Sequence, residues 1–318
     1  MKNFFSVEDI NDVYKIIYES ILIKKNPYNF QHVGKNKTIG LVFFNPSLRT
    51  RISCQKAAFN LGCNVWILDI EKNSWKIEMN DGNIMENTQE HIKEAISVMS
   101  LYCDILGVRT FPKLLNRDYD YEEVLFKKIL LYSKVPVVNL ESATLHPLQS
   151  LADVITIAEY SSFFKKKCKL VLSWAPHVKP IPQSVANSLS QWVSKIKEIN
   201  FIIACPKEYD LCKKFSKNIK IEFDQKKAFN NADFIYAKNW SSYSNYGKII
   251  INDFSWIINM EKMNLTNNAK LMHCLPVRRN IVVEDNVLDS KHSIVLEQAE
   301  NRIYAAQIIF LKMLQKSL

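Results

Sequence analysis

Short apolar runs rich in β-branched residues alternate along this chain with longer segments of helical period, and that alternation leaves few architectures open. A run that is apolar at consecutive positions is buried on both faces, as in a parallel strand covered by helices. The pattern predicts strands near residues 38–44, 64–68, 104–108 and 136–139, with helices near 7–22, 48–61, 90–101 and 121–131. After a helix at 147–160 it restarts, with strands near 169–173, 201–204, 219–222, 234–237 and 270–273 and a closing helix at 297–314. No repeat of solenoid length is visible. The expected fold class is α/β, with two parallel-sheet α/β domains at residues 1–149 and 150–297 and a C-terminal helix at 298–318 packing on the first.

The 318 residues suffice for two domains with a buried core each. Only six are glycine, where average usage near 7% predicts about twenty-two. No two are spaced for a G-x-G-x-x-G turn or a Walker-type loop, which excludes glycine-cradled dinucleotide and nucleoside-triphosphate sites. The seven cysteines are scattered, with no C-x-x-C pair and no His/Cys cluster at zinc spacing, so a reducing, cytoplasmic setting without a structural metal is expected. Glu8 and Asp9 precede any apolar core of signal-peptide length, and no run reaches the roughly 18 apolar residues of a membrane span.

The formal charge of +10 is a lysine excess spread along the whole chain, as expected of solvated faces and not of a nucleic-acid surface. Arginine is the scarcer cation, with seven of the 42 basic residues. In a lysine-biased chain an arginine marks a place where the rigid guanidinium fork is needed. Ligands of open α/β sheets bind beyond the carboxyl ends of the strands, so the residues that follow each strand carry the most information.

The first such place is Phe43-Phe44-Asn45-Pro46-Ser47-Leu48-Arg49-Thr50-Arg51, where a strand passes through an Asn-Pro turn to Ser47, a good N-cap, and into a helix. Backbone N–H groups, the Ser47 and Thr50 hydroxyls and both arginines converge there in a phosphate site that needs no glycine loop; the plain alternative is a capped helix with two surface arginines. Arg109 ends the third strand. Past the fourth, His146 stands before Pro147 at the first helical position and Gln149 at the third, an arrangement that also suits an unusual cap without chemistry. The strand at 270–273 runs into Cys274-Leu275-Pro276-Val277-Arg278-Arg279. His273 and Cys274 lack further zinc ligands at the right spacing, and a nucleophilic Cys274 would want a base. Arg302 lies in the closing helix, where an exposed surface arginine is the alternative. The set suits a small phosphorylated electrophile.

Ser47-Leu48-Arg49-Thr50-Arg51, His146-Pro147-Leu148-Gln149 and His273-Cys274-Leu275-Pro276, in this order, resemble the three signatures of the carbamoyltransferase family of aspartate and ornithine transcarbamylases, over essentially the whole chain. The Ser-Met-Gly element of ordinary ornithine transcarbamylases is missing. Trp174-Ala175-Pro176-His177-Val178-Lys179-Pro180-Ile181-Pro182-Gln183 is similar instead to the proline-rich loop of the N-acylornithine branch. That resemblance implies a deep knot in the second domain, an exception to the usual unknotted connection. It also implies a homotrimer with shared active sites, Trp75 reaching a neighbouring subunit's site and Glu141, His177, Lys238 and Arg278 lining the acylornithine pocket. Residues 232–240 and 275–280 look closest to the succinyl type. In the loop before Glu90, where the succinyl type has proline and the acetyl type glutamate, this chain is one residue shorter and offers Gln89.

The implied reaction moves a carbamoyl group from carbamoyl phosphate to the δ-amine of an N-acylornithine, with N-succinylornithine favoured over N-acetylornithine. By resemblance Ser47, Leu48, Arg49, Thr50 and Arg109 bind the phosphate, and Thr50, Arg109 and His146 lie near the carbonyl oxygen. Gln149, the backbone of Cys274 and Leu275, and Arg302 hold the carbamoyl NH2. No metal, cofactor or covalent intermediate is implied. Three rival readings remain open at this point: transfer to another amine such as ornithine or putrescine, a basic nucleic-acid-binding protein, and a catalytically dead relative.

Overall fold

Strand β1 (Thr38–Phe43) is buried from its second residue onward and forms the middle of a parallel sheet. It pairs with β2 (Asn64–Asp69) on one side. Two short strands, β3 (Ile77–Glu78) and β4 (Glu90–His91), form a separate parallel pair. Strand β5 (Ile105–Arg109) flanks β1 on its other side, and β6 (Val137–Glu141) closes the order β2-β1-β5-β6. Strands β5 and β6 are buried at every position, and the edge strand β2 is half-buried. One face of the sheet packs Val42, Leu106 and Val108 against Ile92 and Ile96 of the helix Ile92–Leu101 and Phe126 and Ile129 of the helix Val124–Tyr132.

The computed structural model describes residues 1–161, 166–251 and 253–315. Its contacts divide the chain into two units. The first comprises Met1–Lys113, Asp118–Leu148 and Arg302–Leu318, and the second Leu114–Arg117 and Gln149–Asn301. The second holds β7 (Cys168–Trp174), β8 (Ile199–Ala204), β9 (Lys220–Glu222), β10 (Phe234–Lys238) and β11 (Lys270–Met272), all parallel in the order β11-β10-β7-β8-β9.

Tryptophans organise the second unit where β7 and β10 end. The Trp174 indole donates to the Trp240 carbonyl (2.9 Å), the Trp240 indole donates to the Tyr209 carbonyl (2.7 Å), and the Trp174 and Tyr209 rings lie 4.8 Å apart. Buried aromatics supply area while their N–H groups find partners. The loops leaving the two strands are laced together as well, with Asn239 Nδ2 donating to the Ala175 carbonyl and Gln183 Nε2 to the Ser241 carbonyl.

Local chemistry overrides the expected helix boundaries in three places. The helix expected at 7–22 is split, because Ser6 and Asp9 form a capping box around the short turn Val7–Asp9 and Asp12 then caps a new helix, Val13–Lys25. The segment expected to be helical from residue 90 begins as β4, and His91 caps the helix that follows. The helix expected at 121–131 is two pieces, Arg117–Tyr121 and Val124–Tyr132, separated by Glu123 in a left-handed conformation (φ 52°). The helix Ser184–Ser194 went unforeseen, since its serines and asparagine favour caps over helix interiors. Among the described residues no helix is long and apolar enough to cross a membrane.

Asparagine takes over positions that glycine fills in most chains: Asn36, Asn218, Asn231, Asn268 and Asn280 all have positive φ. Glycine survives where space is also short. Gly62 has φ +80° and a Cβ there would strike the Gln31 carbonyl, whereas Gly82 has φ +78° with open space around it. Gly62→Ala is therefore expected to destabilise the protein by roughly 2–4 kcal/mol and Gly82→Ala by about 1 kcal/mol. Equal shifts of the thermal midpoint for the two variants would contradict the steric argument.

Candidate functional site

In the first unit the chemistry gathers where β1, β5 and β6 end. Arg109, the last residue of β5, is buried and reaches in two directions. Its Nε and Nη2 donate to Glu141 Oε2 at 3.2 and 3.0 Å, and its Nη1 donates to the carbonyls of Asn45 and Pro46 at 3.1 and 2.9 Å. Phe111 lies under the guanidinium, 4.8 Å from its carbon to the ring centre. His146 Nε2 is 3.7 Å from the same Glu141 oxygen. Arg109 from one strand end and Glu141 and His146 from the next thus form one buried cluster, which also fixes the turn leading into Ser47.

That turn differs from expectation. Ser47 does not cap the helix Arg49–Asn60. The cap position falls on Leu48, already helical at φ −81° and ψ −62°, with no side-chain cap bond. Leu48 takes the place expected of Ser47 and brings no polar side chain to the first turn. Arg51 departs too. It pairs with Asp69 at the end of β2 and lies over the Phe43 ring, so its guanidinium is taken up in a structural contact.

Thr50 is buried, and its Oγ1 accepts a 2.6 Å hydrogen bond from Arg302 Nη2. Arg302 is buried as well, which removes the reading of an exposed helix arginine. The closing helix is held to the same element again by Asn60 Nδ2, which donates to Gln307 Oε1 at 2.9 Å. Trp75 and Gln89 sit at the β3–β4 pair, and their hydrogen bonds stay there. The Trp75 indole donates to Glu90 (2.8 Å), and Gln89 Oε1 accepts from the Lys76 backbone N–H (3.1 Å).

In the second unit two groups form. Arg278 Nε donates to His177 Nε2 at 3.2 Å, while His177 Nδ1 faces the backbone of Lys179. Burial lowers the His177 pKa; the Lys179 backbone contact opposes this, and the charges of Lys238, Arg278 and Lys179 lower it further. Lys238, buried at the end of β10, donates to the Asn239 carbonyl at 2.9 Å. His177, Lys238 and Arg278 are thus a cationic group around a ring kept neutral.

The other group surrounds Gln149. Its Nε2 donates to Asp153 Oδ1 at 2.8 Å, as does Gln298 Nε2 at 2.7 Å, and Gln298 Oε1 accepts from the His273 backbone N–H at 2.8 Å. His273 Nδ1 in turn accepts from Leu275 N at 2.8 Å, which shapes the turn carrying Cys274 and Leu275. The buried Tyr236 hydroxyl neighbours Asp153 and Cys274, and burial foremost holds its pKa far above the usual phenol range. Arg279 is engaged elsewhere, with Asp285 and Asp289.

Sequence reasoning missed Glu123, Asp153 and Gln298. Glu123 Oε1 accepts from Ser142 Oγ, Thr144 N and Thr144 Oγ1 at 2.6–2.7 Å, so it anchors the loop between Glu141 and His146. Burial raises its pKa against those hydrogen bonds. Asp153 had one available signal: it stands four residues after Gln149, on the same helix face. Glu123 and Gln298 had none, because their partners are distant in sequence.

Residues 2–159 match the aspartate/ornithine carbamoyltransferase carbamoyl-P binding domain and residues 181–313 the Asp/Orn binding domain. The chain is 48% identical over 318 residues to N-succinylornithine carbamoyltransferase of Bacteroides fragilis, covering 99% of each. It is 34% identical to N-acetylornithine carbamoyltransferase of Xanthomonas campestris pv. campestris, covering 100% of this chain and 99% of that one. Its fold is similar to a crystal structure of an N-acetyl-L-ornithine transcarbamylase variant complexed with carbamyl phosphate and N-succinyl-L-norvaline, with a TM-score of 0.92, 34% identity and coverage of 98% and 100%. The chain belongs to the aspartate/ornithine carbamoyltransferase family.

Proposed function

We propose that the protein transfers the carbamoyl group of carbamoyl phosphate to the δ-amine of N-succinylornithine, releasing N-succinylcitrulline and phosphate in a route of arginine biosynthesis. The observation that carries this reading is the buried cluster Arg109–Glu141–His146 at the carboxyl ends of one parallel sheet, together with the buried Thr50–Arg302 bond in the same unit. The neutral amine attacks the carbonyl carbon, a C–N bond forms, the C–O bond to phosphate breaks and the proton lost by the amine passes to the departing phosphate. Negative charge develops on the carbonyl oxygen and then on the departing phosphate, so fixed cations and donors stabilise what the substrate lacks at the start. Ser47, Arg49, Thr50 and Arg109 are assigned to the phosphate, with the turn at residues 45–47 fixed in advance by Arg109. His146 is assigned to the carbonyl oxygen, and Gln149 with the carbonyls of Cys274 and Leu275 to the carbamoyl NH2. Glu141 holds Arg109 in place by accepting two of its N–H groups.

The acyl preference rests on charge. An N-succinyl group adds a second carboxylate, and burying it unpaired would cost several kcal/mol. Lys238 and Arg278 beside a neutral His177 supply the matching cations. With Gln89 Oε1 engaged by Lys76, the amide end that remains to meet a ligand is its NH2 donor, which suits a carboxylate.

The proposal extends to a homotrimer in which Trp75 serves a neighbouring subunit. Supporting it, Trp75 is 56% exposed and Leu48, Ile52 and Phe59 stand exposed along one helix. The laced loops after β7 and β10 support the knot, and the seven free cysteines support a reducing cytoplasmic setting.

Arg49→Lys is expected to fold normally yet lose at least about tenfold in carbamoyl phosphate affinity, since an ammonium cannot present paired donors to a phosphate. Isothermal titration with unchanged affinity would remove Arg49 from the site. Among acceptors, N-succinylornithine should exceed N-acetylornithine and ornithine in kcat/KM. Arg278→Ala should cut the succinyl value by roughly 10–100-fold and the acetyl value less. A wild-type preference for the acetyl substrate of about tenfold or more would overturn the acyl assignment.

The His177 pKa is lowered, so its ring is neutral above the ordinary histidine value of about 6.5 and takes a proton only as pH falls below it. Protonation replaces the acceptor of Arg278 Nε with a second cation. In the wild type, kcat/KM for the acceptor is therefore expected to fall more steeply below about pH 6.5 than protonation of the attacking amine alone requires, and His177→Gln should lack that added fall. Superimposable acid limbs in the two pH profiles would assign the titration to another group.

A further inference from the structure

We infer that Asp153 is the positioning residue that lets the protein tell a carbamoyl group from an acyl group of the same shape. An amide side chain has a donor end and an acceptor end of nearly equal size, and which end faces a ligand decides what it recognises. A carboxylate oxygen accepts hydrogen bonds, and Asp153 Oδ1 receives two of them, from Gln149 Nε2 at 2.8 Å and Gln298 Nε2 at 2.7 Å. Both glutamines must turn their NH2 groups toward it. All three residues are completely buried, so no bulk water competes for these bonds.

The consequence runs outward along both arms. Gln298, with its NH2 spent on Asp153, has its Oε1 turned to accept from the His273 backbone N–H at 2.8 Å. Gln149, likewise fixed by its NH2, has Oε1 as its acceptor end. One oxygen atom thus sets the polarity of a side chain and the seat of the turn at residues 273–276. By the reading under which Gln149 and the Cys274 and Leu275 carbonyls face the carbamoyl NH2, every group so placed is an acceptor. A carbamoyl NH2 donates to such a set, and the methyl group of acetyl phosphate does not. A site built to accept hydrogen bonds rejects an isostere that cannot give them, because its buried acceptors are left unsatisfied.

This inference rests on the carbamoyltransferase reading, and one set of titrations separates the two. Carbamoyl phosphate, acetyl phosphate and inorganic phosphate are titrated into the intact protein by calorimetry. The wild type is expected to bind carbamoyl phosphate at least about tenfold more tightly than acetyl phosphate. In Asp153→Leu, of similar size but with no acceptor, that ratio should fall to within about threefold of unity while affinity for inorganic phosphate is retained. Asp153→Ser, whose hydroxyl is too short to reach the Gln149 amide, makes the same test without added bulk and decides the matter if the leucine variant does not fold. Asp153→Asn, which restores a carbonyl oxygen at Oδ1, should recover the preference. General structural damage would weaken all three ligands together, so Leu and Ser variants that keep the wild-type ratio overturn the role of Asp153. A wild type that binds no carbamoyl phosphate overturns the carbamoyltransferase reading itself.

Discussion

The guanidinium of Arg109 is the point on which the first unit's chemistry turns. It ends β5, takes Glu141 from the end of β6, and holds the carbonyls of the Asn45-Pro46 turn that follows β1. A parallel sheet aligns its strand ends but leaves the loops beyond them unconstrained; here one side chain with several N–H groups in a rigid plane ties three of those loops together. Lysine could not, because its ammonium is a single point on a flexible stem. A buried arginine also needs its carboxylate, since removing one partner of such a pair costs about 3–5 kcal/mol. Position and charge are therefore secured by the same contact, and the turn leading into Ser47 takes its shape from the strand ends.

The second unit reaches order by a different route. Its loops are fixed by indole N–H groups and amide side chains that donate to backbone carbonyls: Trp174 to Trp240, Trp240 to Tyr209, Asn239 to Ala175 and Gln183 to Ser241. These are neutral bonds inside an apolar setting, where a missing partner is costly and a satisfied one rigidifies. Lys179, Lys238 and Arg278 are presented from this neutral frame; burial lowers the His177 pKa, and the charges of these three cations lower it further. The cluster in the first unit is built around an ion pair and the one in the second around cations beside a histidine, an arrangement that, under the proposed reaction, suits a ligand bringing its own negative charge.

Much of this was legible in the sequence, for identifiable reasons. The strands were, because continuous apolar runs have one explanation in a parallel sheet, and Thr38, Asn64 and Phe234 begin strands where the pattern starts. The gathering of Arg109 and His146 was foreseeable from the rule that strand ends face one way. Ser47 shows the limit: its type suits a cap, but the cap position falls one residue later, on Leu48. Glu123 and Gln298 show another. Their partners, Thr144 and His273, lie 21 and 25 residues away, and no local pattern records such contacts.

Arginine scarcity proved a guide to geometry more than to ligands. Of the seven, Arg279 grips Asp289 through two parallel bonds of 2.9 and 2.7 Å and also reaches Asp285. Arg51 joins Asp69 while stacking on Phe43, and Arg117 lies 5.0 Å from the Tyr243 ring. None of these three meets a substrate in the proposed chemistry, yet each uses the planar, multi-donor, stackable head that lysine lacks. Most of the lysines serve as solvated charge, with buried exceptions such as Lys238, and arginine is kept where the orientation of several donors matters. Substrate sites are one class of such places, because a phosphate is read through paired oxygens. Structural forks are the other, and Arg109 shows how one residue can be placed for both: it ends a parallel strand, where ligands of such sheets bind, while it grips Glu141 and the carbonyls of Asn45 and Pro46.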